Sequence, residues 1–196
     1  MRDTLQAWDE AVLLALNGQP RWLDTPAWWL TSNWAAVPVV LLIFWTLYRI
    51  GTRHGAPRRA WLGLAALILT FAGTDALSSR VMKPGFARLR PSHAEALDGH
   101  LHHHTFDDGS VYRGGRFGFV SSHAANTFGI ATLAVLLFGA GRWRWLWLWA
   151  AAMSWTRIYL GVHYPGDILF GALFGAGWAC AIFTAFRRFT PDLSTP

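Results

Sequence analysis

Long apolar runs alternate along this chain with short polar punctuation. They cover Trp34–Ile50, Ala60–Ser79, Ser122–Gly139, Trp143–Tyr159 and Pro165–Phe186. Each is close to the ~20 residues that cross a bilayer core. The pattern predicts an all-α polytopic membrane bundle of about five transmembrane helices. Before them, Asp3 to Gly18 reads as a helix that Asp3 or Thr4 would cap and Asn17-Gly18 would end. Leu5, Trp8, Val12 and Leu16 make its apolar stripe, with Gln6, Asp9 and Glu10 elsewhere. That helix is too polar to span and is expected to lie in the interface. Arg21–Asn33, with Trp22, Trp28 and Trp29, is expected to continue along it. The division is therefore an interfacial segment 1–33, a membrane domain 34–188 and a tail 189–196, disordered after Pro191. The membrane domain includes a polar connection, 80–121, of a length that is usually functional or mobile.

Composition supports the membrane reading. Hydrophobic residues make up 53% of the chain and charged ones 14%, which excludes an ordinary soluble domain. Thirteen tryptophans suit a protein with two water–lipid interfaces. The single cysteine, Cys180, lies in an apolar run and has no intrachain partner. No charged-then-apolar signal peptide pattern opens the chain. The net charge of +6 comes from sixteen arginines and one lysine, and their placement sets the orientation. The connections holding Arg49 to Arg59, Arg142 with Arg144, and Arg187 with Arg188 are short, basic and acid-free, as cytoplasmic loops are. The opposite side mixes arginines with Glu95, Asp98, Asp107, Asp108 and Asp167. An odd number of spans then places the N-terminus outside. A membrane lipid is the expected partner and nucleic acid is not; oligomeric state is left open.

The chemistry concentrates on that outer side, around Trp155–Asp167. Pro165 and Gly166 open the last apolar run, so Asp167 falls in a first helical turn and His163 just outside it. An imidazole oriented by a carboxylate is a nucleophile in waiting, although a His–Asp pair at a helix start can also be simple capping. Two further clusters converge there by topology: Lys83 with Arg90 and Pro91, and Ser121, Ser122 and His123. Two helix N-termini, at Ser121–His123 and Pro165–Asp167, would aim free N–H groups at one place. Lys83, Arg90 and Arg157 add charge, and guanidinium forks match phosphate oxygens. Such a pocket can position and neutralise a phosphoryl group without a metal or cofactor. His163 would attack phosphorus, and His123 would protonate the leaving oxygen and then activate water.

The three clusters resemble the signature of the type 2 phosphatidic acid phosphatase family. Its first motif, Lys, six residues, Arg-Pro, is complete in Lys83, Arg90 and Pro91. Its second, Pro-Ser-Gly-His, keeps Ser121 and His123, with Val120 for the proline and Ser122 for the glycine. Its third, Ser-Arg, five residues, His, three residues, Asp, holds in Arg157, His163 and Asp167 behind Thr156. The layout matches from about Trp34 to Phe186, and the sixth, N-terminal span of some members has no counterpart here. The resemblance implies a metal-independent membrane phosphatase acting on lipid phosphates through a phosphohistidine. It makes His163 the nucleophile, Asp167 its partner and His123 the acid–base, with Lys83, Arg90, Ser121 and Arg157 on the phosphate. Ser122 would add a hydroxyl to the phosphate shell or narrow it. Undecaprenyl diphosphate is the first expectation for substrate, because its recycling requires outward-facing hydrolysis. Phosphatidylglycerophosphate and lipid A are the alternatives.

Other classes compete less well. A non-hydrolytic lipid-phosphate carrier would be expected to lack one of the two histidines. A vanadate haloperoxidase would be soluble. His100, His102, His103 and His104 beside Asp107 and Asp108 suggest a solvated loop rather than a zinc site, since adjacent histidines chelate poorly. Gly109, Gly114, Gly115 and Gly118 suggest a flexible approach to Ser121. Asp75 is expected to hydrogen-bond a neighbouring helix. Gly171 and Gly175 form a G-x-x-x-G pattern, expected to serve close packing inside the monomer, with dimerisation as the alternative.

Overall fold

The computed structural model describes residues 2–53 and 57–189. The tail after Phe189, and the middle of the basic connection after Arg53, lie outside the described residues. Helix α1 covers Arg2–Leu16, α2 Asp24–Thr31, α3 Asn33–Arg53 and α4 Pro57–Ala76. A π-helical stretch, Leu77–Met82, carries α4 on into the short α5, Lys83–Phe86. Then come α6 (Ser122–Phe138), α7 (Ala140–Trp143), α8 (Trp145–Tyr159) and α9 (Pro165–Phe189). Among the described residues there is no strand, only the isolated bridges Leu89 to Phe117 and Thr105 to Val111. The all-α membrane bundle expected from the hydrophobic pattern is what forms.

Among the described residues, three helical segments are long and apolar enough to cross a membrane: Trp34–Arg53, Ala60–Phe86 and Pro165–Arg188. The other two expected spans fall short, at 17 residues for α6 and 15 for α8. At 1.5 Å per residue they reach about 25 and 22 Å, less than the ~30 Å core. The reason is position. α6 packs against α4, α8 and α9, and Ala124, Ala125, Ile130, Ala131, Leu133 and Ala134 along it are buried. A helix lined by protein on all sides need not match the bilayer, and its shortness sinks the Ser121 end into the bundle. The outward faces of α3, α4 and α9 instead expose Leu41, Trp45, Ile68, Leu69, Phe170 and Leu173. Large apolar side chains on an outer surface suit lipid as the surrounding solvent.

Glycine sets the closest helix contact. A Cβ on Gly171 would sit 2.6 Å from the Ser121 carbonyl, and one on Gly175 would overlap the Ala125 carbonyl. The G-x-x-x-G pattern thus serves packing of α9 on α6 within the chain. Asp75, on α4, takes a 3.3 Å hydrogen bond from Asn126 on α6, the helix-to-helix role expected of it.

α1 is inside out by the standards of a soluble protein. Leu5 and Trp8 on its apolar stripe are 64% and 59% exposed, while Asp9 is 6% exposed. Leu13, fully buried, turns apolar surface inward. Leu5 and Trp8 face outward, while Asp9 and Leu13 face the protein.

The polar connection is folded rather than loose. Asn17 donates to the carbonyls of His102 (2.9 Å) and Tyr159 (2.8 Å) and accepts from the His102 N–H (2.6 Å). His102 reaches Asp24 at 2.9 Å, and His103 faces the Leu160 carbonyl at 3.0 Å. His104 stacks on Trp28 with ring centroids 3.9 Å apart. These histidines tie the connection to α2 and α8, so the solvated loop expected from the sequence is a correction. No group of three metal-ligating side chains gathers among the described residues.

Candidate active site

Four chain segments meet where α5, α6, α8 and α9 present the three clusters. α9 begins at Pro165, whose fixed φ suits a first turn, and Asp167 follows two residues later. Asp167 is completely buried and His163 is 1% exposed. The His163 Nδ1 lies 3.3 Å from Asp167 Oδ2, and the Tyr164 N–H donates to the same oxygen at 3.2 Å. With Nδ1 facing the carboxylate, Nε2 is the nitrogen left for chemistry. Capping and orientation are both present in this one carboxylate.

Ser121 joins the two helix starts. Its N–H donates to the Asp167 carbonyl at 3.0 Å, and its side chain caps α6 through the Ala124 N–H. His123 then stands in the first turn of α6, half-buried. Ser122 does something the motif alone did not tell. Its hydroxyl accepts from Lys83 Nζ at 2.7 Å and from Ser78 at 2.8 Å, with Ser79 at 3.2 Å. The serine in place of the family's glycine therefore tethers the lysine. The π-helical stretch brings Ser78, Ser79 and Lys83 onto one side of α4–α5.

Arg90 and Arg157 are buried cations with free capacity. Arg90 is 7% exposed; its Nε donates to the Phe117 carbonyl at 3.1 Å, and one terminal nitrogen has no partner. Burial, then the Arg157 charge, pulls the Arg90 guanidinium down to about 10, so it stays charged at neutral pH. Arg157 is 2% exposed and donates to Thr31 Oγ1 at 2.5 Å and Tyr112 Oη at 2.9 Å, with Nε unpartnered. Unpaired buried guanidinium donors are costly, and an oxyanion would satisfy them. Gly118 lets the strand-like segment from Arg116 pass over the pair: a Cβ there would lie 2.8 Å from Asp167 and 3.5 Å from His163.

Lys83, Arg90, Ser121, Ser122, His123, Arg157, His163 and Asp167 all lie at this end of the bundle. Four more participants, Arg88, Asp9, Thr31 and Tyr112, escaped the sequence reading, and Gly118, expected only to make the approach flexible, has a packing role. Arg88 bridges Asp167 (2.8 Å), Asp9 (2.7 Å) and Gln6 (2.8 Å). Asp9 also accepts from the Gly166 N–H at 2.7 Å, capping α9 from another helix. Thr31 and Tyr112 hold Arg157. Gly118 supplies the clearance. The available signal was an acid on α1 at the border of its apolar stripe, a position that needs a cationic partner when it is buried.

A pocket of buried arginines with free donors and two histidines at one end of a helix bundle has the charge and hydrogen-bonding groups to hold a phosphoryl group. Residues 59–191 match the sequence model of the PAP2 superfamily, and the chain belongs to that superfamily. It is a membrane phosphatase. The chain is 36% identical over 184 residues to the lipid A 4'-phosphatase of Bacteroides thetaiotaomicron, covering 87% of this chain and 74% of that protein. It is 32% identical over 171 residues to the lipid A 4'-phosphatase of Porphyromonas gingivalis, covering 84% of this chain and 66% of that one. The transmembrane PAP2-type phosphatidylglycerolphosphate phosphatase of Bacillus subtilis shares the fold with a TM-score of 0.65 at 23% identity, over 95% of this chain and 88% of that one. Aquifex aeolicus LpxE gives 0.57 at 24% identity, over 89% and 93%.

Proposed function

We propose that this protein hydrolyses a phosphate monoester from the head group of a lipid A-type glycolipid, with the site on the outer face of the inner membrane. The buried His163, its Nδ1 on Asp167 and unpartnered arginine donors beside it, carries the reading. The relatives turn the choice of substrate from the polyprenyl diphosphate first expected towards the lipid A alternative, since both are lipid A 4'-phosphatases. The short basic connections supply the orientation.

His163 Nε2 attacks phosphorus and the ester P–O bond breaks. His123 gives its proton to the leaving sugar oxygen. The neutral His123 then takes a proton from water, whose oxygen attacks the phosphohistidine, and inorganic phosphate leaves. Arg90, Arg157 and Lys83 neutralise the phosphoryl oxygens, and the α6 N-terminus adds its N–H groups. Ser122 acts by holding Lys83, and Arg88 with Asp9 holds the carboxylate that orients the nucleophile.

Phosphate release by purified protein, with EDTA present, tests the substrate. The panel holds a bisphosphorylated lipid A, undecaprenyl diphosphate, phosphatidylglycerophosphate and phosphatidic acid. The expected outcome is a kcat/KM for lipid A at least about tenfold above the others, EDTA-insensitive and confined to one of the two phosphates. A clear preference for the diphosphate or for a glycerol lipid would overturn the assignment.

The pH profile gives an independent check. Burial, and then the charges of Arg90, Arg157, Lys83 and Arg88, hold the His163 imidazole well below its usual 6.5. The neutral, attacking form therefore persists below that pH. The acid limb of kcat/KM, which reports the free enzyme, is expected below 6.5. Arg90→Gln removes the largest of the opposing charges, so the His163 value rises and the acid limb moves to higher pH. An unmoved limb would detach it from His163.

A further inference from the structure

In-line displacement places the leaving oxygen opposite the attacking nitrogen, so the side of the site marked by His123 is where the leaving group must extend. A cavity of about 410 Å³ opens on that side, lined by His123 and Arg157 but not by His163. Its other walls come from α2 and the residues after it, and from the polar connection: Trp28, Trp29, Trp34 and Tyr112. The volume falls within the ~300–1,000 Å³ of small-ligand sites.

The geometry points to this cavity as an aromatic subsite for the leaving group, one that receives a sugar ring rather than a glycerol or an acyl chain; this rests on the glycolipid reading above. Pyranose rings present flat C–H faces to aromatic walls and hydroxyls to their rims. The cavity offers both kinds of surface, with Thr31 and Ser32 as polar groups beside the rings. Trp28 in particular is fixed in advance. His104 stacks on one face at 3.9 Å, and Phe106 and Tyr112 meet it edge-on at 5.4 and 5.1 Å. A ring clamped on several sides loses little freedom when a ligand arrives. The same clamp explains why the histidine-rich connection is folded against α2, a feature that the phosphate chemistry alone does not require. Tyr112 links the two halves of the site, since its ring lines the cavity and its hydroxyl accepts from Arg157 at 2.9 Å.

Tryptophans at this depth also anchor proteins in head-group regions, so the test must separate recognition from anchoring. The quantity to measure is the ratio of kcat/KM for a lipid with a sugar-bound phosphate to kcat/KM for phosphatidic acid, in the same detergent. Trp28→Leu is expected to lower that ratio about tenfold, through the sugar substrate alone. Trp28→Phe is expected to restore most of it. Trp22→Leu alters a tryptophan that is 74% exposed and does not line the cavity, and is expected to leave the ratio unchanged. Equal losses on both lipids in Trp28→Leu, or no loss on either, would overturn the subsite while leaving the glycolipid reading intact. A wild-type protein that fails to release phosphate from the sugar lipid, yet hydrolyses phosphatidic acid, would overturn both.

Discussion

His163→Ala is expected to lower phosphate release by about 10⁴-fold or more, with the protein still folded. The size follows from the role, since no other group in the pocket is oriented to attack phosphorus. Persistence of the fold follows from the hydrogen bonds around Asp167. Without the imidazole, this carboxylate still accepts from Arg88 at 2.8 Å and from the Tyr164 N–H at 3.2 Å. No buried charge is left without a partner, the situation that would cost several kcal/mol. Asp167→Asn is a poorer probe, because it also weakens the contact that holds Arg88. The measurement is single-turnover phosphate release alongside acid-quench trapping of labelled phosphoenzyme, with helicity followed by circular dichroism. A variant that keeps wild-type turnover would remove the phosphohistidine from the mechanism.

Gly171→Val is the second large effect expected, and it acts through packing rather than chemistry. A Cβ on Gly171 would sit 2.6 Å from the Ser121 carbonyl and 3.1 Å from the Ala124 side chain. The first neighbour is backbone and has no rotamer to change, so α9 must move away from α6. Overpacking of this kind costs about 1–3 kcal/mol. The catalytic loss is larger in proportion. α6 carries Ser121 and His123 while α9 carries Asp167, and a shift of about 1 Å between reacting groups can cost about 100-fold in rate. Gly177→Val is the internal control, because a Cβ there meets nothing within 4 Å. The pair is compared by thermal unfolding in detergent and by phosphate release. Equal behaviour of the two variants would show that the α6–α9 contact does not set the site.

The helices were legible in the sequence because lipid-facing segments must be apolar along their whole length. Some ends matched closely, with α6 ending at Phe138 and α9 starting at Pro165, whereas the span expected to stop near Ser79 runs on as helix to Phe86. The length of α6 misled, since a helix surrounded by other helices is as apolar as one facing lipid; α8, which exposes Trp145, Trp147 and Leu148, is simply short, at 15 residues. The motif spacing carried Lys83, Arg90, His123, Arg157, His163 and Asp167 to one end of the bundle. The positioning residues were not legible. Arg88 looks like any arginine beside Arg90, and Asp9 like any acid on an amphipathic helix. Their meaning depends on a contact across 79 residues of sequence separation, between Arg88 and Asp9 and again between Arg88 and Asp167. The histidines of the polar connection misled in the opposite direction. Composition suggested solvent, whereas each of His102, His103 and His104 has a specific partner.

The part of the chain that matches the superfamily begins at residue 59, yet the hydrogen bonds that hold the proposed catalytic groups begin far earlier. Arg157 leans on Thr31, and Arg88 and the start of α9 lean on Asp9. The common segment is therefore not a transplantable cassette. Grafted behind a different N-terminal segment, it would retain every motif residue and still lose the supports that aim them. Divergence among these phosphatases has room to proceed in the N-terminal helices, where a new partner for the same arginine re-aims an old site without touching its signature.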